Sequence, residues 1–339
     1  MRIVVMSLAA GLAVTSAALD PAIAAETISA EAIAKAMGLG PNDQAKLRAG
    51  EIVSSEIEET DEKQLAVALA LLVPATLEDI ADSVAKGATL EANKAIRAYG
   101  EIDPANLSEA AFAGITLDAS EVGKLLEVEP GSDYNLSADE IAVFAKLGEQ
   151  YRAGDPAAAE AVNAAWRQTL AGRLQAYLDG GLNGIAAYDR GGDESNPADD
   201  LRAAAEASRL VQQAVPDLYQ AFLDYPGHSV AGAEDRFFWT EQMADDRPVY
   251  ILTHRMSQQR PDALVVLSRD FYVSHSFNAS QGAAGALPVD GGAVIFYANR
   301  TSSDQVAGFM SGMRHEIGRG MMRDSLVEAM QQIRATWQR

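Results

Sequence analysis

PVYILTHRM (248–256), ALVVLSRDFYVSHSFNASQ (263–281) and GGAVIFYANR (291–300) are the stretches on which the fold turns. Aromatic and β-branched residues crowd them, although aromatics are only 6% of the chain. That pattern predicts strands at Arg236–Gln242, Val249–Met256, Leu264–Arg269, Phe271–Gln281 and Ala293–Arg300, separated by turn chemistry such as Asp290-Gly291-Gly292. Beyond Asp304 the apolar residues Val306, Met310, Met313, Ile317, Met321, Ile333 and Trp337 recur near a helical period. The expectation is an antiparallel sheet gripping one long C-terminal helix, with a space between them.

Upstream, Glu51–Glu58 and Gln64–Val73 read as a strand pair. In the second, Leu65, Val67, Leu69 and Leu71 share one face and Ala66, Ala68 and Ala70 the other. The small face leaves room for a close-packed partner, here assigned to the C-terminal helix. Pro74-Ala75-Thr76 starts a helix in which Thr76 and Asp79 have capping-box spacing. A further strand is expected within Ala92–Ile102. This order resembles START-like helix-grip domains, which open with a strand, an "apa-x-x-x-v" run and a short helix, and close with antiparallel strands and a long helix. The chain is also similar to exported bacterial proteins of unknown function, as a divergent form. The resemblance covers Glu51–Ile102 and Asp235–Arg339. It implies an α+β fold with a deep apolar cavity between sheet and helix that takes lipids, sterols or other hydrophobic molecules; a minority of the family are enzymes.

Residues 103–234 depart from that pattern. Helix signals follow one another there, with a full capping box at Ser137 and Glu140 and prolines at the starts of helices at Pro156 and Pro197. The segment reads as a large helical insertion; the alternative is an independent helical domain. Residues 26–50 are a helical lead-in, and 1–25 read as an export signal: Arg2, an apolar run from Ile3 to Val14, and small residues before Glu26. The run is too short to span a bilayer, so no stable membrane anchor is expected after cleavage, and the destination is periplasmic or secreted. The chain has no Cys, which excludes a lipoprotein. A net charge of −21 argues against nucleic acid and anionic membranes as partners.

The expected ligand residues are Trp239, Tyr250, His254, His275, Phe277 and Tyr297, pointing into the grip from the aromatic strands. His275, central in the expected strand Phe271–Gln281, should be largely buried against the final helix. His315-Glu316 is not a zinc-protease motif, because Arg319 stands where the second His belongs. No nucleophile elbow or phosphate loop occurs, and neither a metal nor a cofactor is expected. The leading expectation is a binding or carrier protein for a hydrophobic or amphipathic small molecule such as a lipid. An enzyme using a cavity histidine as general acid or base, and a scaffold using the helical insertion, are the alternatives.

Overall fold

The computed structural model describes residues 30–244, 246–308 and 311–337. The expected export signal therefore lies outside the described residues. The strands are β1 (Val53–Glu56), β2 (Gln64–Val73), β3 (Ile96–Ile102), the short pair β4 (Tyr188–Asp189) and β5 (Glu194–Ser195), β6 (Ala233–Ala244), β7 (Arg247–Gln259), β8 (Leu264–Val273), β9 (Ala279–Val289) and β10 (Gly292–Ser302). The helices are α1 (Ala30–Ala36), α2 (Pro41–Arg48), α3 (Leu77–Ala85), α4 (Ala88–Ala92), α5 (Ala119–Leu126), α6 (Ala138–Gln150), α7 (Pro156–Gly180), α8 (Pro197–Glu206), α9 (Arg209–Ala214), α10 (Pro216–Leu223) and α11 (Ser311–Arg334).

Eight strands form one antiparallel sheet in the order β1-β2-β10-β9-β8-β7-β6-β3. As expected, the early strand β2 joins the late ones: Val73 lies opposite Ala293, and Gln64 opposite Ser302. β3 pairs with β6, so the chain leaves the sheet into its helical segment and returns on the neighbouring strand. At the β9–β10 turn, Gly292 (φ +151°) is compulsory, since a Cβ there would lie 2.0 Å from the Val73 carbonyl oxygen. The capping box of α3 forms as read: Asp79 N–H donates to Thr76 Oγ1 at 3.1 Å, and Thr76 N–H donates to Asp79 Oδ2 at 3.1 Å.

Helices cover both faces of this mixed α+β fold. On one face Leu65, Val67, Leu69 and Leu71 pack against Met322, Leu326, Met330 and Ile333 of α11 and Ile80 of α3. On the other, Ala68 and Ala70 meet α1, α2 and α10, while Trp166, Leu170, Leu174 and Tyr177 of α7 pack over Phe237, Tyr250 and Phe271. The small face of β2 therefore receives the N-terminal helices and the helical segment, and the C-terminal helix takes the large-residue face. This reverses the sequence-based assignment. Bulky leucines offer a helix more apolar contact, at roughly 25 cal/mol per Å² buried.

Two strand boundaries also differ from expectation. Phe271–Gln281 is not one strand: β8 ends at Val273, residues 274–278 turn, and β9 starts at Ala279. The turn is held from outside by Asn135, whose side-chain amide donates to the carbonyls of Val273 and Phe277, both at 2.9 Å. Ser276 takes φ +78° within it. Gly282–Val289 in turn continues β9 despite its Ala and Gly content, because β8 and β10 pair with it on both sides.

Candidate ligand-binding cleft

The six expected ligand residues do not share one cavity. Trp239, Tyr250 and His254 lie under the helical segment, Tyr297 lies on the opposite face in the core with α11, and Phe277 packs with Val249, Ile251 and Val273. Trp239 is a structural anchor: its Nε1–H donates to the Ala111 carbonyl at 3.1 Å. His275, expected largely buried against α11, sits instead in the β8–β9 turn, only partly buried, with the Tyr134 ring of the helical segment edge-on at 6.3 Å between centroids. Its Nε2 lies 2.8 Å from the Pro248 carbonyl and its Nδ1 2.7 Å from Ser276 Oγ. A carbonyl only accepts, so the ring is the Nε2–H tautomer and Nδ1 accepts from the hydroxyl. Burial and the nearby Arg247 pull its pKa down to about 4.

His254 is fully buried, with Nδ1 2.8 Å from the Tyr177 hydroxyl and Nε2 2.8 Å from Asp235 Oδ1. Arg269 donates to the same Tyr177 oxygen at 3.0 Å. Burial lowers the His254 pKa against the opposing pull of Asp235, so the imidazole is neutral, donating to Asp235 and accepting from Tyr177. Both ring nitrogens are thus engaged inside the protein. The space expected between sheet and α11 is largely filled by side chains. A void of about 40 Å³ remains near Arg255, Ile295 and Trp337, with a polar notch of about 380 Å³ at the β1 edge beside Arg319.

The large opening, about 780 Å³, lies on the other face. Its floor follows from register. Ala68 lies opposite Ala298, Ala298 opposite Ala283, and Ala283 opposite Leu267, giving one apolar row of mostly methyl-sized side chains. The adjacent row runs Ala66, Arg300, Gln281, Arg269 and His254. Walls come from Met37, the Glu56–Asp61 loop, Ala207–Val211 and Phe222. A smaller apolar annex of about 70 Å³, lined by Ile33, Val215, Leu287 and Phe296, adjoins it through shared residues Met37, Leu210 and Ala298. The depression exists because alanines leave empty the volume that leucines fill on the opposite face.

Arg300 supplies a buried cation to this cleft. It is 7% exposed, and its guanidinium donates to the Glu58 carbonyl at 2.7 Å, Gln64 Oε1 at 2.6 Å and the Ala207 carbonyl at 3.3 Å. All three acceptors are neutral. Burial pulls its pKa down, against the opposing influence of Glu58 and Glu59. Sequence reading missed this site because its walls come from segments far apart in the chain. The signal that could have found it was the alternation of small residues in β2 combined with the Ala- and Gly-rich run 282–286.

Among the described residues, no group of three or more His, Asp or Glu side chains converges as a metal site would, and no helix is long and apolar enough to cross a membrane. Fold and cleft together define an α+β protein with an amphipathic groove on the face of an eight-stranded antiparallel sheet that lies away from the C-terminal helix. No protein-family model matches the sequence, and neither a curated protein nor a solved structure is detectably similar to it.

Proposed function

We propose that this is an exported binding or carrier protein for an amphipathic, lipid-like small molecule, held in the 780 Å³ cleft over the alanine row. The observation that carries this reading is the cleft itself: an apolar floor beside a polar row, opening towards an apolar annex. Its size lies within the range of small-molecule sites, about 300–1,000 Å³. A helix-grip relationship belongs to the same proposal. Its support is the order of elements, with β2 followed by a capped helix and antiparallel strands followed by a long C-terminal helix, although the ligand is placed on the face away from that helix. The export part rests on the sequence of residues 1–25.

The enzymatic alternative has less support, because both nitrogens of His254 are bound within the core. A scaffolding role for the helical segment would need a broad exposed apolar patch there. Val143 is the large apolar side chain most exposed on it among the described residues. Native mass spectrometry of the protein purified from its own compartment tests the proposal, together with displacement of an apolar dye by dodecanol. A copurifying hydrophobe, or dodecanol binding abolished by Ala298→Phe, is the expected result. A protein that carries nothing and binds neither dye nor alcohol overturns it.

A further inference from the structure

Two guanidinium groups stand in one cross-strand row on the cleft face, Arg300 on β10 and Arg269 on β8, with Gln281 of β9 between them. At the usual strand spacing their backbones are roughly 10 Å apart. Arg269 is fully buried, lies over the Phe222 ring at 4.2 Å and donates to Tyr177 and Gln281. Its Nε–H has no acceptor among the described residues. Neither arginine has a carboxylate within ion-pair distance among the described residues, whereas Arg173, Arg247 and Arg319 each do. Buried charges in proteins are normally paired, because removing a cation from water without a counter-ion is costly. A chain carrying −21 has acids to spare, yet none of the described ones pairs with this row, a lack shared by Arg255, which is buried on the opposite face.

Arg300 also keeps donors in hand. Of the five N–H groups of a guanidinium, three reach Glu58, Gln64 and Ala207, which leaves the Nε–H and one Nη2–H without an acceptor among the described residues. We infer that the cleft takes an anionic amphiphile, a single alkyl chain ending in a carboxylate or phosphate monoester. Its head group is bound by Arg300 and its chain lies along Ala298, Ala283 and Leu267 towards the annex. This rests on the amphiphile reading above and specifies its ligand class. A guanidinium binds planar or tetrahedral oxyanions through paired N–H groups, which makes it selective for such a head over an alcohol. The acids lining the cleft, Glu56, Glu58, Asp61 and Glu206, are the competing feature, since they would favour a cationic head instead.

The test is a head-group series on the full mature chain: dodecanoate, dodecyl phosphate, dodecanol and dodecyltrimethylammonium, each measured by titration calorimetry. At least one of the two anions is expected to bind ten or more times more tightly than dodecanol; the two anion arms separate a carboxylate from a phosphate ligand. Arg300→Gln should bring that anion to the level of dodecanol and leave dodecanol unchanged, and Arg300→Lys should restore part of the preference. Equal binding of anion and alcohol, or a preference for the ammonium head, overturns the inference while the amphiphile reading stands. Failure of all four to bind overturns the amphiphile reading itself. The wild-type series decides the matter even if Arg300→Gln does not fold.

Discussion

Trp239 shows how a single side chain can look like a ligand contact and be a strut instead. It is an aromatic on a strand otherwise suited to a cavity wall, yet its ring lies over two backbones that lack side chains. A Cβ on Gly100 would come within 2.4 Å of Trp239 Nε1, and one on Gly114 within 2.8 Å of Cζ2. Gly100→Ala must therefore displace the indole or the β3 backbone, and overpacking of this kind costs about 1–3 kcal/mol. The expected readout is a lower urea midpoint with altered tryptophan emission. Gly172 is the control: it lies exposed inside α7, and a Cβ there meets nothing within 4 Å. Gly172→Ala should raise the midpoint by the helix-propensity difference, up to about 1 kcal/mol. Equal effects from the two substitutions would show that the glycines are not distinguished by packing.

At the scale of elements, apolar spacing and cap residues found most helices, and aromatic and β-branched composition between turn residues found most strands. What these could not supply was the partner. β2 carries two usable faces, and nothing local says which of them α11 covers; that is settled by α1, α2 and α10, which compete for the alanine side. The strand break at Ser274–Asn278 was equally hidden. Phe271, Val273, His275 and Phe277 alternate as a strand should, and the turn is imposed by Asn135, more than a hundred residues earlier. β9 was hidden for the opposite reason, since Gly282-Ala283-Ala284-Gly285 has little strand propensity and depends on pairing from both neighbours. The reassigned helix face gives a direct check. Leu326 of α11 is fully buried against β2, while Met313 and Ile317, in its first and second turns, are 56% and 55% exposed. Leu326→Ala should cost about 2–5 kcal/mol, and Ile317→Ser within about 0.5 kcal/mol. A large loss at Ile317 in chemical denaturation would mean that the helix presents a different face to the sheet.

For the whole molecule, acid is the condition that best exposes how the layers are joined. Three groups respond with the same sign, two histidines in one pH window and a carboxylate in a lower one. In the β8–β9 turn, His275 is held to about 4 by burial and the neighbouring Arg247, against about 6.5 in an unfolded chain. Between those values the unfolded state binds the extra proton, so stability falls as pH drops from about 6.5 towards 4. His254, lowered by burial, acts in the same direction. Glu121, which ties α5 to the β6–β7 end of the sheet, is pulled up by burial. Hydrogen bonds from Arg247, Lys124 and Tyr134 outweigh that effect and hold it at about 2. Its contribution is present above about 4.5 and is lost as pH falls from there towards 2. Neutralising the acids of a chain carrying −21 relieves self-repulsion and works the other way, so the raw acid curve is a sum of opposed effects. The difference between wild type and His275→Gln removes that background. The glutamine amide can still donate to the Pro248 carbonyl but cannot titrate. Urea midpoints measured from pH 7 to 4 should fall less for the variant, the gap growing to at most about 3 kcal/mol at pH 4. Parallel curves would mean that His275 titrates normally and that the turn opens to solvent before the rest of the sheet.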